Sequence, residues 1–462
     1  MLLINWFIFS MIFLVSGNNF FTLILGWELI GLTSFLLINF WKFKSTTLSC
    51  SFKAFSFNKF SDLFLMLSFC LLWDMYKIST IDTLLLVIDI NKLYTNNTLL
   101  ASAICLLLCS SVKSAQIFGH LWLPDSMEAP VPASSLIHSA TLVSAGIYLI
   151  LKFQSLFIIT NTLNIIVILG SITACYGGLV AASQSDVKKI LAYSTVSHCG
   201  FIFVTIGLNN FILSIIYLYL HGLFKAVTFF CVGSLIKYNS AQDTRLMGSL
   251  KNQPINVLTL IFSAINLGGM PFTFGYLYKE IFLYELTLSS VSKLSLGFSL
   301  IGLLSSIIYV YKLIYYSSFD FRKGAFQKDI LVLQNYKELL NKYLLSFTYV
   351  HVFSTFIIFI MAIFFYLIVK FFILKFYIIF NYSGIFVSNE LIFMTKFFYI
   401  KKNLISIFYS LFLLLIVVMF LNNTRYNYFY LQTYKIFTLI LNFFLFLPIV
   451  NLGISYLYLI NI

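Results

Sequence analysis

A chain of 462 residues that is 61% hydrophobic and only 10% charged, with a mean hydropathy of +0.97, cannot stay dispersed in water. That balance excludes a soluble domain and leaves a polytopic membrane protein. The formal charge of +14 would suggest nucleic acid in a soluble chain, but here the positive residues collect in short connections, where they set orientation and argue against a nucleic-acid partner.

The sequence predicts an all-α protein with about thirteen transmembrane helices, since strand alternation is absent. Residues 1–16 form a short apolar run, marginal as a span at about 1.5 Å per residue. Residues 20–40 make a full span with Glu28 near its middle. A loop over 41–59 carries Lys42, Lys44, Lys53 and Lys59, and the next span runs from about 60 to 76. Residues 98–118 lead into KSAQIFGHLWLPDSMEAPVPASSLIHSATLVSAGIY, the stretch from Lys113 to Tyr148. It holds three of the six prolines, Pro124, Pro130 and Pro132, and also Lys113, His120, Asp125, Glu128 and His138. Prolines at membrane depth break a helix, and ionisable groups there are costly and mark ion paths. The break is expected near 119–132, followed by a helix over 133–151.

Further spans fall near 162–183, 190–208 and 211–236. A second interrupted span over 256–285 breaks at Gly268-Gly269-Met270-Pro271, with Lys279 and Glu280 beyond it. A span at 294–317 closes this block. Residues 318–345 form a polar loop, and 346–462 read as C-terminal membrane helices for packing or anchoring. Numbering sides alternately puts 14 Lys and Arg on the side of 41–59, 184–189, 237–253 and 318–345, against 4 on the other. The richer side is the matrix or cytoplasm. Each broken helix belongs to a five-helix block, residues 1–153 and 162–317, and an odd number of spans inverts the second block relative to the first. Two inverted repeats with one broken helix apiece is a transporter plan.

The candidate chemistry lies in Glu28, Lys113, His138, the His221/Lys225 pair and Lys279, with His120, Pro124, Glu128, Pro271 and Glu280 in support. A lysine held out of water gives up its proton at modest cost, and a nearby carboxylate opposes that. Histidine changes charge near neutral pH, and His221 and Lys225, four apart, share a helix face. A row of such groups passes protons. The plainer alternatives are snorkelling for the lysines, a static ion pair for Glu28, a hydrogen-bonded core position for His138, and carbonyl capping for His120. His198 in YSTVSHCG reads as packing, Asp186, Lys188 and Lys189 as a solvated topology signal or function, and Asp243 with Arg245 as a structural pair. Seven scattered cysteines without CxxC spacing, and no GxGxxG after a strand, indicate neither metal ligation nor a nucleotide cofactor. Cys105 and Cys109 read as small core residues.

The Lys113–Tyr148 stretch, GWELIGLTSFLLINFW around Glu28, SQSDVKKILAYSTVSHCGF, LHGLFKAVTFF, AQDTRLMGSL and GGMPFTFGYLYKE run in order over residues 11–317. Together they resemble the chain 5 family of proton-pumping NADH–ubiquinone oxidoreductase, and HSATLVSAG separates that family and its bacterial cation-antiporter relatives from chains 2 and 4. The resemblance implies a proton-translocating complex I subunit with no cofactor or redox centre of its own. It implies Glu28 paired with Lys113, His138 as the next relay, His221 and Lys225 as the central link, and Lys279 on the exit side. It also implies a chain 4-like neighbour, other membrane-arm subunits and lipids as partners. Family members carry about three further helices before the position of residue 1 and a long lateral helix after the core. Their lack predicts a shortened chain or a separate polypeptide supplying the first helices, with 380–402 as a lateral-helix remnant. The missing basic presequence and AT-rich codon usage point to an organelle-encoded protein of the inner mitochondrial membrane. The alternatives in view are a subunit of a multi-subunit Na⁺/H⁺ antiporter and a non-pumping scaffold of the membrane arm.

Overall fold

Long apolar runs with few glycines and prolines set the helices of this chain, and Pro and Gly clusters set its interruptions. The structure, a computed structural model, describes residues 2–90, 97–139, 141–239, 241–247, 254–270, 273–289 and 292–319. The polar loop at 320–345 and the C-terminal spans at 346–462, the 380–402 segment included, lie outside the described residues. Within them the helices in chain order are α1 (Leu2–Ser16), α2 (Phe20–Ile38), α3 (Ser45–Tyr76), α4 (Ile81–Ile90) and α5 (Asn97–Lys113). A four-residue turn, α6 (Trp122–Asp125), and a 3₁₀ turn at Ser126–Glu128 follow. The chain continues through α7 (Val131–Ser139), α8 (Leu142–Lys152), α9 (Gln154–Ile159), α10 (Leu163–Ser183), α11 (Val187–Gly207) and α12 (Phe211–Asn239). It ends in α13 (Pro254–Gly268), α14 (Phe274–Leu288) and α15 (Lys293–Ile314). Among the described residues 7 helical segments are long and apolar enough to cross a membrane, and α1, α5 and the Asn256–Gly268 part of α13 are shorter apolar helices.

Three boundaries differ from the sequence expectation. The expected loop at 41–59 and span at 60–76 are one 32-residue helix, α3. No Gly or Pro falls between Ser45 and Tyr76, so nothing stops the helix, and Lys53 and Lys59 ride on it instead of lying in a connection. The expected connection at 77–97 contains α4, and the expected helix at 133–151 is bent between α7 and α8, where Thr141 leaves helical geometry with φ −124° and ψ −87°.

Helices with many serines stay compatible with lipid because each hydroxyl is satisfied locally. Ser68, Ser102, Ser110 and Ser299 each donate to the carbonyl three residues back, at 2.7–2.8 Å. Small residues then let helices approach backbone to backbone. A Cβ on Gly200 would lie 2.6 Å from Ala174 N and 2.7 Å from Gly170 O, so α10 and α11 meet at a distance only glycine permits. Gly146 on α8 has the same role against α5, where a Cβ would stand 2.5 Å from Ser110 O, three residues before Lys113.

Candidate functional site

Among the described residues three lysines are at most 5% exposed, Lys113 at 1%, Lys225 at 0% and Lys279 at 5%, and a fourth, Lys188, is buried at 9%. A buried ammonium is tolerated only when its hydrogens are taken up. Each of the three finds carbonyl oxygens.

Lys113 is the last residue of α5, where the chain leaves helical geometry. Ala115 and Phe118 take positive φ (53° and 71°), and Trp122 Nε1 donates to the Val112 carbonyl at 3.0 Å, closing one group freed by the break. Lys113 Nζ donates to the Trp27 carbonyl of α2 at 3.3 Å and stands 4.8 Å from the Trp27 ring centroid, a cation–π contact. The expected Glu28–Lys113 ion pair is replaced by another. Glu28 pairs with Lys59 of α3, and Lys59 also lies 3.7 Å from Asp62. Asn58, one turn before Asp62, is 2% exposed, and neither polar atom of its side chain has a hydrogen bond.

Helix α3 thus forms a rail of cations along the first break. Lys44 just before it pairs with Glu128 at 2.9 Å, Lys53 pairs with Asp125 at 2.6 Å, and Lys59 pairs with Glu28. Lys188 of α11 donates to the carbonyls of Met127 (3.2 Å) and Ala129 (3.4 Å), so it tethers the turn instead of standing in solvent. Pro124 is buried inside that turn, and His120 meets the Tyr176 hydroxyl at 3.1 Å and not a freed carbonyl.

His138, near the end of α7, is fully buried. Its Nε2 meets Ser126 Oγ at 3.1 Å, its ring stacks on Phe229 at 5.7 Å, and its Nδ1 has no hydrogen-bond partner. Phe229 lies one turn beyond Lys225 on α12. Lys225 Nζ donates to the Leu191 carbonyl at 3.0 Å and to Ser194 Oγ. His221, one turn before Lys225, is 3% exposed with Nε2 unpartnered. Its ring centroid is 5.1 Å from that of His198.

Lys279 on α14 reaches back to the second break. It donates to the carbonyls of Leu267 and Gly268, both at 2.9 Å, and to Ser306 Oγ at 2.8 Å. These carbonyls are the open C-terminal end of α13, whose partial negative charge favours a cation. Gly269 has φ +72°, and a Cβ there would lie 2.6 Å from Lys279 Cδ, so glycine both turns the chain and admits the lysine. Asn266 bridges the interruption, donating to the Phe262 carbonyl at 2.9 Å and accepting from Phe274 N at 3.3 Å. Glu280 is half-buried beside it, and Pro271 lies outside the described residues.

The structure adds Lys59, Asp62, Asn58, Ser194 and Ser306 to the surroundings of the candidate residues, and gives His198, read from sequence as packing, a tyrosine hydroxyl at each ring nitrogen. The unbroken helical run through Ser45–Tyr76 was the available signal for the first three. The hydroxyl partners carry no signal in a chain where serine is common on every helix.

The matched family model is that of the NADH:quinone oxidoreductase/Mrp antiporter transmembrane region, over residues 17–309. NADH-ubiquinone oxidoreductase chain 5 of Paramecium tetraurelia is 43% identical over 359 residues, covering 75% of this chain and 61% of that protein. The chain 5 protein of Phytophthora infestans is 39% identical (63% and 45% covered), and that of Rattus norvegicus 33% (72% and 54%). The chain spans about half to three fifths of the length of these curated relatives. A chain in the solved structure of the membrane-bound sulfane sulfur reductase, an archaeal respiratory membrane complex, shares the fold at a TM-score of 0.63. It is 16% identical, over 76% of this chain and 74% of that one. A match of the family model over most of the described helices, together with relatives above 30% identity, places the chain in the NADH:quinone oxidoreductase/Mrp antiporter transmembrane family.

Proposed function

We propose that this chain is a proton-translocating membrane-arm subunit of a respiratory NADH–ubiquinone oxidoreductase, in the inner mitochondrial membrane with its Lys/Arg-rich connections toward the matrix. The observation that carries the reading is the series of three buried lysines on carbonyl oxygens, two of them at helix interruptions, with His138 and His221 between them. A static scaffold gains nothing from burying ammonium groups at membrane depth, whereas a proton carrier needs groups whose charge is easily lost and regained. The unpartnered nitrogens of His138 and His221 point the same way, because buried polar atoms are ordinarily satisfied.

In this account the two blocks, 1–153 and 162–317, are inverted repeats with one broken helix each. Glu28, Lys59 and Asp62 set the charge balance at Lys113, so movement of Lys59 between the two acids changes how well the ammonium is tolerated. The proton then passes by His138 and His221/Lys225 to Lys279. Electron transfer takes place on other subunits, this chain holds no redox centre, and its partners are the other subunits of the membrane arm and lipid. The chemistry equally serves an Na⁺/H⁺ antiporter subunit, a reading favoured by the antiporter members of the same family. Mild-detergent extracts run on a native gel, with NADH oxidation read in the gel and the active band analysed by mass spectrometry, separate the two. Co-migration with NADH oxidation is expected. Migration in a smaller, NADH-inactive assembly would contradict it and favour the antiporter.

A further inference from the structure

Between Lys225 and Lys279 lies a group that the account above does not use. His198 on α11 is 1% exposed, and each of its ring nitrogens faces a phenol on a different helix. Nδ1 meets the hydroxyl of Tyr217 on α12, and Nε2 meets the hydroxyl of Tyr309 on α15 at 3.0 Å. Tyr217 is 4% exposed and Tyr309 2%, so the array is closed to bulk solvent. At each end a residue that contacts a buried lysine, or neighbours one on its helix, lies one turn away. Ser194, one turn before His198 on α11, accepts from Lys225, and Tyr217 lies one turn before His221 on α12. Ser306, one turn before Tyr309 on α15, accepts from Lys279 at 2.8 Å. Tyr217 is fixed in orientation by Tyr278, the residue before Lys279, with ring centroids 3.6 Å apart and planes 6° apart.

We propose that Tyr217, His198 and Tyr309 form a hydrogen-bonded relay that carries a proton from the Lys225/His221 centre to Lys279. This rests on the proton-carrying reading above and deepens it.

Packing alone does not account for the arrangement. A phenylalanine would fill the same space at less cost in desolvation, with no buried nitrogens to satisfy. An imidazole with both nitrogens in line between two hydroxyls is bifunctional. It accepts a proton on one side while releasing its own on the other.

With His198 starting as the Nε2–H tautomer, a proton arriving at the Tyr217 oxygen displaces the hydroxyl proton of Tyr217 to Nδ1. The proton on Nε2 passes to the Tyr309 oxygen, and the original hydroxyl proton of Tyr309 leaves toward Ser306 and Lys279. One proton enters, one leaves, no heavy-atom bond changes, and nothing is oxidised or reduced. The ring ends as the Nδ1–H tautomer, and a water molecule that takes the Nδ1 proton and returns one to Nε2 restores it before the next passage. The cationic neighbours that bear on the ring are Lys225 and Lys279, with His221 beside it. A charge held on His198 would be opposed from both ends, which favours this concerted passage of a neutral ring over storage of an imidazolium.

The test uses the assembled complex carrying His198→Gln, Tyr309→Phe or Lys225→Met, reconstituted in vesicles and read for the rate of proton uptake driven by NADH oxidation. His198→Gln keeps two hydrogen-bonding atoms at similar volume but cannot exchange tautomers, and Tyr309→Phe removes only the hydroxyl. The rate of proton uptake driven by NADH oxidation should fall roughly ten-fold in both, with the amount of assembled complex unchanged. Wild-type uptake in both of these variants, with uptake lost in Lys225→Met, overturns the relay and leaves the function standing. Wild-type uptake in Lys225→Met as well overturns the function itself. If His198→Gln fails to assemble, Tyr309→Phe decides alone.

Discussion

Lys59 shows how much of a charge network depends on one side chain. The sequence makes Glu28 a candidate through its depth in an apolar helix, and Lys113 through its place before the prolines. It does not reveal which cation meets which acid, because that depends on how α2, α3 and α5 face one another. With Lys59 45% and Glu28 26% exposed at the side chain, the pair is partly open and its direct contribution is modest. A double-mutant cycle of Lys59→Met and Glu28→Gln, read by thermal unfolding of the solubilised complex, should return a coupling of about 1 kcal/mol or less. The larger effect belongs to transport. With Lys59 removed, Glu28 and Asp62 both lose the cation they share, and the rate of proton uptake should fall. At the connector between α12 and α13, Arg245 Nε and its guanidinium donate to Asp243 at 2.6–3.1 Å and hold the carboxyl below the usual carboxylate range. An acid with a depressed folded-state pKa contributes stability above its unfolded value of about 4 and loses it as the pH falls below that. The protection factors of the amides in 241–247, exchange corrected for its intrinsic pH dependence, should therefore fall below about pH 4 and stay level between pH 6 and 8.

Helices and their interruptions follow from different parts of the sequence, and only some of those parts are loud. The Pro124, Pro130 and Pro132 cluster and the Gly268–Gly269 pair are local signals, and the chain leaves helical geometry at both. The length of α3 and the bend between α7 and α8 were harder to read. Lysines spaced along the first half of α3 look like a positive loop, and the bend between α7 and α8 involves no proline or glycine. Helix contacts are set by glycines whose importance shows only once a partner backbone is opposite. Gly200→Ala, which forces a Cβ to within 2.6 Å of Ala174 N, should cost about 1–3 kcal/mol and lower the yield of assembled complex. Gly297→Ala on α15 meets nothing within 4 Å and should be neutral or stabilise by up to about 1 kcal/mol through helix propensity alone. Native-gel yield of the two variants side by side checks both.

At the scale of the whole molecule, composition pointed to a membrane protein, span lengths without strand alternation pointed to helices, as the described residues have, and the order of six motifs pointed to the family the comparisons show. The path between the lysines needed coordinates, because its links are hydroxyls and carbonyls: Ser194 and Leu191 at Lys225, Ser306, Leu267 and Gly268 at Lys279, Trp27 at Lys113. Serine is too common in this chain, and a carbonyl too anonymous, for sequence to single them out. The measurement that tests the central claim most directly is the rate of NADH-driven proton uptake by the reconstituted complex with Lys279→Met, beside uncoupled NADH oxidation and complex content in the same vesicles. The account predicts the rate of NADH-driven proton uptake lowered by about 10²-fold, the contribution of a positioned proton-transfer group, with content unchanged. Wild-type uptake at wild-type content would contradict it, because a lysine held on the open end of α13 would then be structural.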